Sequence, residues 1–116
     1  MIILGKKAVL AFDYGASSGR LVLGILNEDT KKIELKEMHR FKNCSVKLNQ
    51  YEYWDFPYLY NELKEGLKKV FAKESIVNNE NIEVLGLGVD TWGVDYGWID
   101  EKGELVEVII PKTMVD

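Results

Sequence analysis

Short apolar runs, each ended by turn residues, dominate the first third of the chain. The run AVLAF at 8–12 stops at Asp13 and Gly15, which predicts a buried strand followed by a turn. The stretch RLVLGILNEDTKKIELKEMHRF at 20–41 contains an apolar strand, a turn at NEDTKK and a strand of alternating character. Three consecutive strands joined by tight turns predict an antiparallel meander.

In the third predicted strand, alternation divides the side chains between two faces of the sheet. One face would carry Ile33, Leu35, Glu37, His39 and Phe41, and the other Glu34, Lys36, Met38 and Arg40.

A helix is predicted after a stretch without clear pattern. Residues 42–53 show no sustained period and are predicted to form a loop or an irregular strand. In 54–75, Asp55 is a natural N-cap, and Pro57 is tolerated in a first helical turn because its missing amide would have no partner there. Apolar side chains then recur at spacings of three and four, at Leu59, Leu63, Leu67, Val70 and Phe71.

The order of elements indicates an α/β fold with a mixed sheet. VLGLGVD at 84–90 reads as a short buried strand, and DEKG at 100–103 as the turn of a hairpin. A helix that crosses over from a meander to a further strand would cover one face of the sheet. The other face would stay bare and lose the apolar burial that stabilises such sheets, so we expect self-association through it or inclusion in something larger.

Composition indicates one small globular domain. The chain has 116 residues, of which 47% are hydrophobic and 29% charged. Its apolar stretches fit neither a signal peptide nor a membrane span. Cys44 is the single cysteine and His39 the single histidine, which excludes an intrachain disulfide and a thiolate and imidazole metal cluster. A cytoplasmic location is expected.

The charge is distributed unevenly along the chain. The net charge is -4, with nine Lys/Arg and five Asp/Glu in residues 1–50 against six and fourteen in residues 51–116. A modest basic excess in the first half would suit a nucleotide phosphate. The basic residues are scattered and form no arginine-rich stripe with aromatics, so nucleic acid is not an expected partner.

The stretch DYGASSGR at 13–20 contains the parts of a phosphate-binding turn. Its two glycines let the backbone turn tightly and bring amide N–H groups near a ligand, and its two serines add hydroxyl donors. Arg20 supplies a charge suited to phosphate oxygens, and Asp13 could hold Mg²⁺ through water.

A plain hairpin turn explains the same residues. In that alternative the glycines supply positive φ, the serines bond their own backbone and Asp13 caps the strand. The spacing is neither GxGxxG nor that of a Walker A loop, so the local pattern leaves both interpretations open.

The stretch GLGVDTWGVDYG at 86–97 contains residues suited to a sugar at the end of a strand, namely Asp90, Thr91, Trp92, Gly93 and Asp95. A bare glycine backbone beside an indole face could receive a sugar, with carboxylates and a hydroxyl bonding its hydroxyl groups. The alternative is a tight turn from strand to hairpin with Trp92 and Trp98 in the core.

Other polar and aromatic residues carry weaker signals. A structural role is expected for His39 and an inert one for Cys44. The aromatics of YEYWD at 51–55 are expected to fix the entry of the helix, and the lysines at 64, 68, 69 and 73 to form its solvated face.

Four motifs in order carry a resemblance to a known family. AFDYGASSGR, HRFKN, YWD and GLGVDTWGVDYG together resemble the N-terminal part of a rhamnulokinase, in the FGGY carbohydrate kinase family. The resemblance implies an actin-like, ribonuclease H-like ATPase fold, present here as an incomplete first domain. It also implies transfer of the γ-phosphoryl group of ATP to L-rhamnulose, giving L-rhamnulose 1-phosphate.

The resemblance implies roles for individual residues. ATP would be contacted by Asp13, Gly15, Ala16, Ser17, Ser18, Gly19 and Arg20, with Mg²⁺ near Asp13. Gly93 matches a position that contacts the sugar, with Thr91, Trp92 and Asp95 as its neighbours. The aspartate that acts as the family's base lies much further along, as does the adenosine-binding domain, so no catalytic residue is expected in this chain.

The last residues depart from the family pattern. After DEKGELV at 100–106 the chain reads EVIIPKTMVD, so residues after about 107 are expected not to follow the family. This predicts a truncated partial domain over 1–116 with little or no turnover alone. A non-catalytic module that oligomerises or binds a sugar, and another sugar kinase or actin-like ATPase family, stay open as alternatives.

Overall fold

The computed structural model describes residues 5–93, 96–104 and 106, together with the strand Thr113–Met114. Nine elements follow one another within these residues: β1 Lys7–Tyr14, β2 Ser18–Asn27, β3 Lys32–Lys42, β4 Ser45–Leu48, β5 Tyr51–Trp54, α1 Phe56–Val70, α2 Ile76–Asn79, β6 Glu83–Asp90 and β7 Thr113–Met114. The predicted meander, helix and following strand are confirmed as β1 to β3, α1 and β6. The expected burial of the last strand is wrong, because β6 lies at the edge of the sheet and Leu85, Leu87 and Val89 are exposed.

The main sheet is mixed, as predicted. Its strand order is β3, β2, β1, β6. β1 to β3 pair antiparallel, whereas β6 pairs parallel to β1 after the crossover through α1 and α2. The ends of β1 and β6 that carry Asp13 and Asp90 therefore lie side by side at one edge of the sheet.

The core lies between α1 and one face of the sheet. Phe12, Leu21 and Leu23 from the strands and Val70 from the helix are fully buried. Gly66 lets α1 approach closely, because a Cβ there would lie 3.0 Å from Leu21 Cδ2. Apolar burial at about 25 cal/mol per Å² holds the helix to this inner face.

Helix α1 begins as the sequence predicts and ends one residue earlier than its apolar pattern suggests. Oδ1 of Asp55 accepts a hydrogen bond from the amide of Tyr58 at 3.1 Å, which confirms the N-cap. Phe71 is 54% exposed, so its predicted place on the buried face is wrong. The helix ends at Val70, and Phe71 is the C-cap, whose backbone turns away from helical geometry.

Residues 42–53 contain a hairpin instead of the predicted loop or irregular strand. β4 and β5 pair antiparallel, and β7 pairs with the far side of β5. Asn49 has a φ of 57° at the connection, a conformation that asparagine tolerates better than most residues. The strands are four residues each, too short for a period to be visible in the sequence.

A bulge in β3 overturns the predicted division of its side chains. His39 pairs with Leu21 and Glu37 with Val22, so Met38 has no partner across the ladder. His39 consequently faces the core, whereas Leu35 lies on the opposite, outer face beside Gly24. A strict alternation would have placed His39 and Leu35 together.

No element within the described residues covers the outer face of the main sheet. Val9, Ile33 and Leu35 project from it with exposed fractions of 51%, 62% and 71%. This agrees with the expected bare face, and self-association through it stays a prediction.

The chain after β6 forms the predicted turn at DEKG. Gly103, at a φ of 81°, donates its amide to the Asp100 carbonyl at 3.0 Å, and the Val106 amide donates to the Trp98 carbonyl at 2.8 Å. Trp98 is 62% exposed, which excludes it from the core. Most residues after 106, where a departure from the family is predicted, lie outside the described part. Among the described helices none is long and apolar enough to span a membrane.

Candidate phosphate-binding site

The turn between β1 and β2 is held by backbone bonds and by one asparagine. The Gly15 amide donates to the Ser18 carbonyl at 2.9 Å. Asn43, which follows β3, donates its Nδ2 to the Gly15 carbonyl at 2.8 Å and its backbone amide to the Ser17 carbonyl at 3.0 Å. The turn is therefore braced from the residue after β3 as well as by its own bond between Gly15 and Ser18.

The two glycines of the turn are needed because neighbouring atoms lie close to their Cα atoms, and neither has a positive φ. Among the described glycines only Gly103 has a positive φ, which overturns that part of the plain-turn alternative. A Cβ on Gly15 would lie 2.6 Å from the Ser18 carbonyl oxygen, and one on Gly19 would overlap the ring of Phe41. The ring occupies the space that any larger residue at Gly19 would need.

The tip of the turn presents free donors. Ala16 and Ser17 are exposed, and within the part of the chain described their amides donate no hydrogen bond. The hydroxyls of Ser17 and Ser18 make no bond to the turn backbone there either, contrary to the plain-turn alternative. Uncommitted amides in a tight turn form a concavity suited to an anion.

Charged residues form a row across the sheet beside the turn. Asp13 faces Arg20 on the neighbouring strand, with Oδ2 3.7 Å from Nε, and both side chains are about half exposed. Asp90 is the register partner of Asp13 on one side, and Arg40 that of Arg20 on the other. Direct partners share a face, so two acids and two arginines line the outer face at this end. Arg40 is engaged by Glu37, whose pKa it lowers through a hydrogen bond.

Asp13 suits Mg²⁺ bound through phosphate and water. The described residues contain no group of three or more His, Cys, Asp or Glu able to hold a metal by themselves. Mg²⁺ at phosphate sites keeps several waters and needs only one or two carboxylates. Asp13, with Asp90 beside it and the free amides of the turn close in sequence, fits that donor set.

The stretch GLGVDTWGVDYG at 86–97 lies only partly at the end of the sheet that carries Asp13. β6 places Asp90 next to Asp13, so the two motifs meet at the ends of adjacent strands. Thr91 and Gly93 are exposed, and a Cβ on Gly93 would meet nothing within 4 Å. Trp92 packs on Trp54 with ring centroids 4.2 Å apart, which places its indole against the helix entry. Asp95 lies outside the described residues.

Three side chains around the turn were not predicted from the sequence to have roles there, namely Asn43, Tyr14 and Tyr58. The Tyr14 hydroxyl donates to the Leu59 carbonyl at 2.6 Å, and that of Tyr58 to the Lys42 carbonyl at 2.8 Å. Burial, aided by the charge of Glu62, raises the pKa of Tyr14 to about 12. The only signal for Asn43 was its place in the HRFKN motif.

The residues with weaker sequence signals have structural roles, and Lys69 differs from its prediction. His39 is buried between Glu62, with Nε2 2.6 Å from Oε2, and Lys69, with Nδ1 2.7 Å from Nζ. This confirms a structural role for His39 and corrects the prediction that Lys69 belongs to a purely solvated face. Cys44 is free and exposed. Trp54 and Leu59 share the core cluster at the helix entry, in agreement with the expected role of the aromatics at 51–55.

Comparison with known proteins relates this arrangement to sugar kinases. A rhamnulokinase of Mannheimia succiniciproducens is 44% identical over 98 residues, covering 84% of this chain and 19% of that protein. A ligand-bound xylulose kinase and a gluconate kinase, both of Lactobacillus acidophilus, match in structure with TM-scores of 0.60 and 0.61. Each is 11% identical, and each match covers 90% of this chain and 19% of the other. No protein-family model matches the chain.

The chain is rhamnulokinase-like in sequence, and its α/β fold matches the N-terminal region of FGGY kinases. It spans 19% of the length of the curated relative it matches.

Proposed function

We propose that this rhamnulokinase-like chain grips the phosphates of ATP on its β1–β2 turn, within a kinase activity that converts L-rhamnulose to L-rhamnulose 1-phosphate. The observation that carries the proposal is the tip of the turn, where Ala16 and Ser17 are exposed and their amides have no acceptor among the described residues. Arg20 and Asp13 stand beside it. The 44% identity to a rhamnulokinase supports the choice of sugar.

Each group has a distinct task in phosphoryl transfer. The reaction needs positioning and charge neutralisation more than covalent help. The amides and the Arg20 guanidinium would orient the phosphate oxygens and offset their charge. Asp13 would hold Mg²⁺, which neutralises phosphate charge when bound. Asp13 and Arg20 form a loose ion pair at 3.7 Å, and both side chains are about half exposed, so each would still reach its own ligand.

The sugar would lie beyond the ends of β1 and β6. Gly93 leaves room for close approach, and Thr91 and Asp95 would bond sugar hydroxyls, with Trp92 behind them. Since no residue of the chain matches the family's base, the 116 residues alone are proposed to bind without turnover. A free Cys44 suits the cytoplasm, where we place the protein.

Amide NMR with Mg·ATP tests the phosphate grip. Titration of ¹⁵N-labelled chain should shift the amides of residues 15–20, and tripolyphosphate with Mg²⁺ should shift the same set. L-rhamnulose should shift residues 91–93 instead. Unmoved turn amides at millimolar ligand would overturn the grip, and rapid L-rhamnulose phosphorylation by the chain alone would overturn the binding-only part.

A second candidate function is a module that self-associates through the outer face. Val9, Ile33 and Leu35 form its exposed apolar centre. A second copy related by a two-fold axis along the strands would set the Asp90 and Asp13 side of one sheet against the Arg20 and Arg40 side of the other.

Light scattering separates this candidate from a monomer. Leu35→Lys should dissociate a dimer, whereas Leu48→Lys, at a position 60% exposed on β4, should leave it intact. A monomeric wild-type chain at high concentration would exclude the candidate.

A further inference from the structure

We propose that Asn43 is a positioning residue that holds the β1–β2 turn open for an anion, an inference that rests on the phosphate-binding role proposed above. The side chain of Asn43 is buried, with the residue 6% exposed, directly behind the turn. Its Nδ2 and its backbone amide donate to the carbonyls of Gly15 and Ser17 at 2.8 and 3.0 Å. One residue thus holds two of the turn's carbonyl groups.

Holding the Gly15 carbonyl changes how the turn closes. A four-residue turn is commonly closed by a hydrogen bond from the amide of its last residue to the carbonyl of its first. In Gly15–Ser18 that carbonyl accepts from Asn43 Nδ2, and the Ser18 amide does not donate to it. The turn is kept by the reverse bond from the Gly15 amide to the Ser18 carbonyl.

The bonds to Asn43 also fix where the amides point. A trans peptide unit is planar, with its C=O and N–H on opposite sides. The Gly15 carbonyl and the Ala16 N–H belong to one peptide unit, so the Ala16 N–H points away from Asn43 Nδ2. The Ser17 carbonyl and the Ser18 N–H belong to another, and because that carbonyl accepts from the Asn43 backbone amide, the Ser18 N–H points away from Asn43. Asn43 therefore presets donors that an anion can use.

The other end of the Asn43 side chain gives an independent observation. Its Oδ1 is buried and has no hydrogen-bond partner within the described structure. An unpaired buried acceptor is unfavourable, and a donor brought in with the ligand would relieve that cost. With the ligands proposed above, that donor would be an O–H group, from the water shell of a metal phosphate or from a sugar hydroxyl.

Amide hydrogen exchange without ligand tests the positioning role. In Asn43→Ala the freed Gly15 carbonyl becomes available to the Ser18 amide, so exchange at Ser18 should slow by about tenfold. Loss of a merely structural side chain would speed exchange around the turn. Tyr58→Phe is the matched control, because it removes a bond to the carbonyl of Lys42, the residue before Asn43, without touching the turn. It should leave Ser18 unchanged.

Exchange at Ser18 that is unchanged or faster in a folded Asn43→Ala would overturn the proposal. Should that variant not fold, Asn43→Asp replaces the Nδ2 donor by an oxygen at equal size, and the same measurement applies.

Ligand binding provides the second arm. Mg·tripolyphosphate should bind Asn43→Ala about fivefold more weakly than the wild-type chain, or worse, while Tyr58→Phe binds normally. Wild-type chain that binds no tripolyphosphate would sink the proposed function, whereas the exchange result would still decide whether Asn43 holds the turn open. A shift of the Asn43 side-chain amide with Mg·tripolyphosphate indicates a water donor, and a shift with L-rhamnulose alone a sugar hydroxyl. A side-chain signal that neither ligand moves would overturn the assignment of Oδ1.

Discussion

The ammonium of Lys69 on α1 lies 2.7 Å from Nδ1 of His39 on β3. A lysine ammonium can only donate, so Nδ1 accepts and the neutral ring carries its proton on Nε2. That nitrogen lies 2.6 Å from Oε2 of Glu62, which precedes Lys69 by about two turns of the helix. The three side chains fasten the helix to the strand at the point where the bulge turns His39 inward.

Lys69→Met should therefore destabilise the fold, because it leaves a buried ring nitrogen without its donor. We expect a loss of about 1 kcal/mol in the free energy of unfolding, measured by urea titration. Lys68→Met is the control, since Lys68 is exposed and pairs with Glu65, an interaction worth about 0.5 kcal/mol or less. Equal losses for the two variants would contradict a structural role for the Lys69 contact.

Gly19→Ala should destabilise the turn through overpacking. Its new Cβ would overlap the Phe41 ring, and such crowding costs about 1–3 kcal/mol. Gly93→Ala serves as the control, because nothing lies within 4 Å of a Cβ there. The double variant Gly19→Ala, Phe41→Leu should recover part of the loss relative to Phe41→Leu alone, and strict additivity would exclude contact with the ring.

Arg20→Ala should weaken nucleotide binding with little effect on the fold. Charge-assisted bonds to phosphate contribute about 1.5–3 kcal/mol, so affinity for Mg·ATP should fall about tenfold or more in calorimetry. Stability should change by about 0.5 kcal/mol or less, because the side chain is half exposed. Arg40→Ala, on the neighbouring strand and engaged by Glu37, should bind almost normally. Equal affinity for Arg20→Ala and wild-type chain would remove Arg20 from the site.

Tyr14 should make stability fall in alkali. Its pKa rises from 10.0 to about 12 on folding, so the folded chain holds the phenol proton where the unfolded chain releases it. This contribution is complete below pH 10 and is lost as pH rises through about 12. Urea unfolding of wild-type chain and Tyr14→Phe at several alkaline pH values should show a shallower decline for the variant. Parallel declines would mean that Tyr14 titrates alike in both states.

The sequence by itself determined the elements whose signals are local. Asp55 and the apolar spacing of 59–70 located α1, and the apolar runs ended by turn residues located β1, β2 and β6. Such patterns reflect preferences that neighbours in the chain reveal, although β6 is largely exposed and not buried as its apolar run suggests. The family resemblance of the four motifs is also local information, since it is a match of residues in order, and the match to a rhamnulokinase agrees with it.

Only the tertiary structure decided features that depend on partners far apart in the chain. The unpaired Met38, which separates His39 from Leu35, exists only through the register of β2 and β3. Asn43 bonds to Gly15, which lies 28 positions earlier in the chain. Gly19 is required because the Phe41 ring occupies the space of a Cβ there, and no local sequence pattern reveals that contact. The acids Asp13 and Asp90 become neighbours because β6 returns parallel to β1. Ladder register and close packing are set by distant contacts, so the arrangement of the site emerges only on folding.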